Sequence, residues 1–110
     1  MRKAEYPLVP LLELTPDQTK IFTLPRGKGE VALALHNGKV YAFGSLCPHQ
    51  NASLQDAPIE KGCVVCKRHG YRFDLKSGDC RTVGGYGIPI YKTEVREGIV
   101  TVVCLEWDEK

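Results

Sequence analysis

Short apolar runs and stretches of alternating apolar and polar residues fill most of the chain, which is typical of β-strands. Seven strands are predicted on this basis, at residues 19–24, 30–35, 39–43, 63–66, 71–74, 88–96 and 99–105. Turn-forming residues separate them about every ten residues, a rhythm that is common in small β-proteins. The pattern predicts an all-β fold, a small antiparallel sandwich or barrel.

Two dipeptides between predicted strands favour tight hairpin turns. Asn37-Gly38 joins 30–35 to 39–43, and both residue types tolerate the positive φ that such turns need. Glu97-Gly98 joins the last two strands in the same way. The one helix-like opening, Thr15-Pro16-Asp17, leads at once into a β-like run, so we expect a turn there.

The middle of the chain differs from its ends. Between residues 44 and 87 the predicted strands are brief, and Cys, His, Pro and Gly are concentrated. We expect a loop-rich subdomain over about 44–87, inserted in a β-scaffold formed by 1–43 and 88–110. A length of 110 residues fits a single domain.

Composition narrows the possible functions. The net charge is +2 without a block of basic residues, which argues against nucleic acid as a partner. No run approaches the 18 or so apolar residues of a membrane span, and the N-terminus lacks the features of a secretory signal. We therefore expect a cytoplasmic protein. In a reducing compartment, five cysteines with histidines nearby indicate metal binding more than a disulfide framework.

Cysteine and histidine occur together at two places. The first is Cys47-Pro48-His49, and the second, sixteen residues further on, is Cys66-Lys67-Arg68-His69. Two thiolates and two imidazoles suit either zinc or an iron–sulfur cluster. Zinc sites usually group like ligands together, whereas each loop here offers one of each kind. In a Rieske centre two Cys bind one iron and two His bind the other, which two such loops can supply.

These motifs resemble those of Rieske ferredoxins that serve bacterial ring-hydroxylating dioxygenases. The resemblance includes the ligand spacing, residues 47–54 of the first loop, residues 66–74 of the second loop, and the Ser77-Gly78 turn. It implies a Rieske-type fold and one [2Fe–2S] cluster per chain. The implied cluster ligands are Cys47, His49, Cys66 and His69.

The resemblance also implies a function. The chain would be a monomeric electron carrier, and not itself an enzyme, that takes an electron from a flavin-containing reductase and passes it to a terminal oxygenase. One alternative is the small Rieske-fold subunit of a larger oxidoreductase such as NADH-dependent nitrite reductase. Another is a structural zinc module without a redox role.

Two departures from the Rieske proteins of respiratory cytochrome bc complexes bear on the reduction potential. Ala52 and Arg68 stand where those proteins have a disulfide behind the cluster, and Tyr71 and Phe73 stand where they have a Ser and a Tyr that hydrogen-bond to the cluster. Such hydrogen bonds raise the potential because they stabilise the reduced cluster. We therefore expect a low potential, about −150 mV or somewhat above.

The remaining cysteines have two interpretations each. Cys63 forms a C-x-x-C pattern with Cys66, typical of zinc or redox motifs, but it also fits as a small apolar residue on a strand. We favour the strand interpretation, and we expect Cys80 and Cys104 to be core or surface thiols. A disulfide between Cys63 and Cys80 stays open.

Four further features lie outside the ligand set. His36 is expected to be solvated, and Trp107 is expected to serve packing. Residues 84–89 form either a third loop that covers the cluster or an ordinary connection. The basic side chains Lys67, Arg68 and Arg72 either form a positive rim that attracts an acidic partner or only aid solubility.

Overall fold

The computed structural model describes residues 2–48, 51–68 and 70–106. This part of the chain contains eleven β-strands and two short 3₁₀ helices. The strands are β1 (Arg2–Pro10), β2 (Lys20–Thr23), β3 (Glu30–His36), β4 (Lys39–Phe43), β5 (Leu46–Cys47), β6 (Ala52–Ser53), β7 (Ile59–Glu60), β8 (Cys63–Val65), β9 (Arg72–Asp74), β10 (Ile90–Arg96) and β11 (Ile99–Glu106). The 3₁₀ helices are Leu11–Glu13 and Pro25–Gly27. No helix among the described residues has the length and apolarity needed to cross a bilayer.

A six-stranded antiparallel sheet forms the scaffold, in the order β1-β11-β10-β4-β3-β2. Strand β10 changes partner along its length: Ile90 and Tyr91 pair with β4, whereas residues 92–96 pair with β11. The sheet curls, because Tyr6 and Val9 on one edge strand pack into the same buried cluster as Leu33 near the other edge. The all-β prediction is confirmed.

Tight turns join the strands where the sequence predicts them. Asn37 and Gly38 have φ values of 51° and 77°, and Glu97 and Gly98 have values of 51° and 80°. Positive φ at both positions is the geometry of a two-residue hairpin turn. The turn expected at 15–17 is also present, with Asp17 at a φ of 62°.

The first strand was not predicted. Pro7 and Pro10 lie within β1, and a proline inside a run argues against a central strand because it has no N–H to donate. β1 is an edge strand, so only one of its sides pairs, and its register with β11 shifts between Pro7 and Val9. A nine-residue strand with two prolines is therefore possible here.

Two small sheets fall between β4 and β10. β5 pairs with β6, and β7, β8 and β9 form a three-stranded antiparallel sheet. Their apolar residues pack with Ala32, Ala34 and Phe43 of the scaffold in a second buried cluster. The Gly44 N–H donates to the Pro89 carbonyl over 3.0 Å, which brings the beginning and the end of this segment together. The division into scaffold and inserted subdomain stays a prediction.

Candidate metal centre

Strands β5 and β6 carry the first predicted ligand loop. Cys47 ends β5 and pairs directly with Ala52 of β6. The Leu54 N–H donates to the Ser45 carbonyl over 2.8 Å and closes the base of this pair of strands. The Cys47 residue is 1% exposed.

Strands β8 and β9 carry the second loop. Cys66 directly follows β8, and its N–H donates to the Tyr71 carbonyl over 2.8 Å. The Cys66 carbonyl in turn accepts the N–H of Gly70 over 2.8 Å, so the loop is fastened at both of its ends. Cys66, like Cys47, is 1% exposed.

The structure brings the two cysteines into one buried cluster. Cys47 and Cys66 both belong to the core that contains Leu54 and Phe73, and neither forms a disulfide. His49 and His69, the other two predicted ligands, lie outside the described residues. Two buried cysteines on adjacent hairpins supply the soft thiolate ligands that an iron–sulfur cluster requires, so this part of the donor set fits a Rieske centre.

A third loop lies against the second. The Cys80 N–H donates to the Tyr86 carbonyl over 3.1 Å and closes this loop on itself. Thr82 accepts the N–H of Arg72 on its Oγ1 at 3.0 Å, and the rings of Tyr71 and Tyr86 lie 6.0 Å apart at an interplanar angle of 56°. Residues 80–87 therefore border the second ligand loop, which agrees with the third-loop interpretation as far as position is concerned. Whether this loop covers a cluster stays a prediction.

A network of hydrogen bonds on Asp74 fixes the turn between β9 and the third loop. Asp74 Oδ1 accepts the N–H groups of Lys76 at 2.7 Å and Ser77 at 3.1 Å, and Oδ2 pairs with the Arg81 guanidinium at 2.7 Å. The Arg81 pair, followed by the backbone hydrogen bonds, outweighs partial burial and holds the pKa of Asp74 below its ordinary value. The turn is therefore fixed by an ionised carboxylate.

Cys63 and Cys80 lie on opposite sides of β9. Cys63 pairs with Asp74, whereas Cys80 pairs with Phe73, the preceding residue of the same strand. Adjacent residues of a strand point to opposite faces, so the two cysteine side chains do too. Their Cα atoms are two strand spacings apart, about 10 Å, and a disulfide needs less than about 7 Å. The disulfide that the sequence left open is absent.

The environment of Cys63 supports its interpretation as a strand residue. It is buried on β8, and burial, followed by the nearby Asp74 carboxylate, raises the pKa of its thiol. A raised pKa keeps the sulfur protonated and makes it a poor ligand or nucleophile.

The expectation for His36 is wrong in part, because its Nδ1 lies 2.7 Å from Asp17 Oδ1 instead of being surrounded by water. Trp107 lies outside the described residues.

The structure shows the environment of each position that departs from the cytochrome bc pattern. Ala52 is the direct strand partner of Cys47, and Arg68 is exposed. Phe73 is fully buried in the cluster that contains Cys47 and Cys66, and the Tyr71 ring packs against Tyr86. Phe73 therefore presents no hydroxyl group to the interior of the site.

The chain matches the Rieske [2Fe–2S] domain family over residues 4–92. This match spans most of the chain, includes both ligand loops, and agrees with the all-β fold described above. The chain belongs to the Rieske [2Fe–2S] domain family, and its cofactor is a Rieske-type [2Fe–2S] cluster. It is an electron-transfer protein of the Rieske type.

The proteins that the chain resembles include ferredoxins of oxygenase systems. The ferredoxin component of the alkene monooxygenase system of Xanthobacter autotrophicus is 38% identical over 53 residues, which cover 47% of this chain and 43% of that protein. The alignment thus spans less than half of the relative's length. Among solved structures, the ferredoxin of carbazole 1,9a-dioxygenase from Nocardioides aromaticivorans IC177 has a TM-score of 0.80, at 24% identity, over 90% of this chain and 96% of that one.

A solved structure with a different assigned role has a similar fold. A candidate NADH-dependent nitrite reductase small subunit from Mycobacterium tuberculosis has a TM-score of 0.87 at 22% identity. The superposition covers 97% of this chain and 100% of that one. Both structural neighbours share the fold, and at this identity the fold alone is what the likeness shows.

Proposed function

We propose that this chain carries single electrons from a flavin-containing reductase to a terminal oxygenase. Its cluster would be held by the thiolates of Cys47 and Cys66 and the imidazoles of His49 and His69. The observation that carries the proposal is the burial of the two cysteines in one cluster, at the ends of two strands, in a chain of the Rieske family.

Each protein group has a defined task in this proposal. The cluster, when bound, supplies the one-electron chemistry, and the chain sets its potential and its access to partners. Cys47 and Cys66 provide negative charge in a buried setting, and neutral imidazoles from His49 and His69 keep the net charge of the site low. Fastened backbones on both sides of Cys66 hold that ligand in place.

The first experiment is an electron paramagnetic resonance spectrum of the dithionite-reduced protein, together with iron and sulfide analysis. We expect two irons and two sulfides per chain and a rhombic signal whose average g value lies below that of the free electron. A silent spectrum with one zinc per chain would instead establish the zinc module that the sequence left open.

Variants then assign the ligands. Cys47→Ser and Cys66→Ser should lose most of the iron and sulfide, whereas Cys80→Ser should retain both, since Cys80 lies outside the ligand set. His49→Ala and His69→Ala should behave like the first two variants, and His36→Ala should behave like the third. Retention of a normal spectrum in any of the four ligand variants would contradict the assignment.

The alternative role as a subunit of a larger oxidoreductase predicts a different behaviour in solution. A carrier should purify as a monomer that exchanges electrons with separate proteins. A small subunit of a nitrite reductase should copurify in fixed ratio with a large catalytic chain. Size-exclusion chromatography of the protein from its native source separates the two roles.

The proposal includes a cytoplasmic location. All five cysteines fall within the described residues, and none of them forms a disulfide. Thiols of this kind persist in a reducing compartment. Fractionation of cells with an antibody against the chain would check the location.

A further inference from the structure

We propose that the three loops around Cys47 and Cys66 present a basic and partly apolar surface that docks the acidic face of a redox protein. We call it the loop surface and define it by the exposed residues Leu46, Lys67, Arg68, Val83 and Tyr86. The inference rests on the proposed function, because it names the chemistry of the partner at that site.

Charge on these loops has one sign. Residues 44–55, 61–73 and 80–93 contain no Asp or Glu, although the whole chain has thirteen of them. Several basic side chains lie in the same segments. Six of the fifteen Lys and Arg residues of the chain lie in these three segments.

The basic residues near the loops are not equivalent. Arg72 pairs with Glu60 at 3.0 Å, and Arg81 pairs with Asp74 at 2.7 Å, so both are largely neutralised by the protein itself. Lys67 and Arg68 are exposed, and neither forms an ion pair within the described part of the chain. The positive rim expected from the sequence therefore reduces to Lys67 and Arg68.

Exposed apolar side chains are concentrated in the same region. Five large hydrophobic residues of the described chain are exposed, and three of them belong to the loop surface: Leu46 at 44%, Val83 at 39% and Tyr86 at 38%. Leu46 directly precedes the ligand Cys47, and the other two lie on the third loop. Apolar residues with a charged rim are typical of protein interaction sites.

The loop surface is held in shape by contacts that join separate loops. The Tyr86 ring packs against Tyr71 of the second loop, and Thr82 accepts a hydrogen bond from the Arg72 backbone. A surface formed in advance loses little conformational freedom when a partner binds. Positive charge beside the cluster should also raise the association rate with an acidic partner, an effect that salt screens.

The test uses two inorganic oxidants of opposite charge on the cluster-loaded protein. Ferricyanide is an anion and tris(phenanthroline)cobalt(III) is a cation, and each takes one electron from the reduced cluster, which is oxidised as the oxidant is reduced. Stopped-flow rates are measured between low and high ionic strength. Because the two oxidants differ in driving force, the salt dependence of each rate is compared and not the absolute rates.

Ferricyanide reduction should slow by about tenfold as salt rises, while cobalt reduction should quicken, in line with steering effects of about 10-fold or more. The double variant Lys67→Glu/Arg68→Glu should reverse both trends. Lys3→Glu/Lys39→Glu makes the same change in net charge on exposed residues of the scaffold and serves as the matched control. Equal salt dependence in the two double variants would overturn the inference and leave the proposed function intact.

The apolar part of the loop surface is tested with anilinonaphthalene sulfonate, an anionic dye that fluoresces when it binds apolar surfaces. Val83→Ser should reduce dye fluorescence at least twofold. Val95→Ser, which changes another exposed valine on β10, should leave it unchanged. Equal fluorescence in the two variants would contradict the apolar part of the surface. A protein without a cluster would instead overturn the proposed function, and the docking inference with it.

Discussion

Gly78 and Ile88 approach so closely that a Cβ atom at Gly78 would lie 2.1 Å from the Ile88 carbonyl oxygen. The Ile88 N–H donates to the Gly78 carbonyl over 2.9 Å, and Gly78 has a φ of 82°. Only glycine fits both conditions without strain. The contact ties the turn after β9 to the beginning of β10, and it thereby closes the third loop.

Gly78→Ala should lower the free energy of unfolding by roughly 3 kcal/mol, because the methyl group displaces backbone and φ is unfavourable. Gly85→Ala is the matched control, since Gly85 has a φ of 91° but open space around its Cβ position. That variant should lose only about 1 kcal/mol. Urea unfolding followed by circular dichroism measures both, and equal losses would show that the close contact is unimportant.

Asp74→Asn should destabilise the protein by about 2 kcal/mol at pH 7, the usual worth of hydrogen bonds to a charged group. The pKa of Asp74 is lowered in the folded state, chiefly by Arg81, so the ionised carboxylate stabilises the fold. That contribution is complete above the ordinary pKa of Asp, about 3.9, and is lost as pH falls through the lower folded pKa.

The measurement for Asp74 is the difference in unfolding free energy between wild type and Asp74→Asn at several pH values. The difference should stay constant from about pH 7 to pH 5 and shrink below about pH 4. Glu13→Gln changes an exposed carboxylate on the first 3₁₀ helix and should show little difference at any pH. A difference for Asp74→Asn that grows on acidification would contradict a lowered pKa of Asp74 in the folded state.

Cys63 should resist both oxidation to a disulfide and alkylation. It is buried, its thiol pKa is raised, and Cys80 lies across β9 on the opposite face. After diamide treatment, peptide mapping should find no bond between Cys63 and Cys80. Iodoacetamide at about pH 8, near the ordinary thiol pKa, should label the more exposed Cys80 faster than Cys63. The reverse order would show that Cys63 is the more reactive thiol.

The reduction potential should lie at the low end of the Rieske range, near about −150 mV. Phe73 is buried among the residues around Cys47 and Cys66 and has no hydroxyl to donate. Phe73→Tyr should raise the potential if the new hydroxyl reaches a cluster sulfur, while the electron paramagnetic resonance signal persists. A strongly positive wild-type potential in a spectroelectrochemical titration would overturn this prediction.

The hydrophobic pattern predicted seven of the strands, β2, β3, β4, β8, β9, β10 and β11, because each is an apolar-rich or alternating run that ends near turn-forming residues. Strand β1 was missed because Pro7 and Pro10 argue against a strand, and only its edge position makes them acceptable. The exchange of partners along β10 after Tyr91 was also not predicted, because no local sequence signal records such a long-range pairing.

Part of the candidate site could also be predicted from the sequence, and part could not. The spacing of cysteine and histidine, together with the resemblance to Rieske ferredoxins, predicted Cys47 and Cys66 as ligands. The structure places both cysteines in one buried cluster, and their role as ligands stays a prediction. The neutralisation of Arg72 was not predictable, because Glu60 is twelve residues away in the chain and reaches it only across the small sheet. Contacts between loops, such as the one between Tyr71 and Tyr86, depend on tertiary packing. Local composition therefore does not predict them.

The hydrogen bond between Gly44 and Pro89 brings the chain back to the six-stranded sheet close to the point where it left it. A chain that leaves the sheet and returns to it at one point needs little extra entropy to close, whatever the length between. Insertions and deletions in the exposed turns of the intervening stretch should therefore disturb the sheet little, whereas its apolar residues share a buried cluster with Ala32, Ala34 and Phe43. The exposed loops between β4 and β10 could therefore change in length during evolution, and so match new partners, while the six-stranded sheet kept its shape.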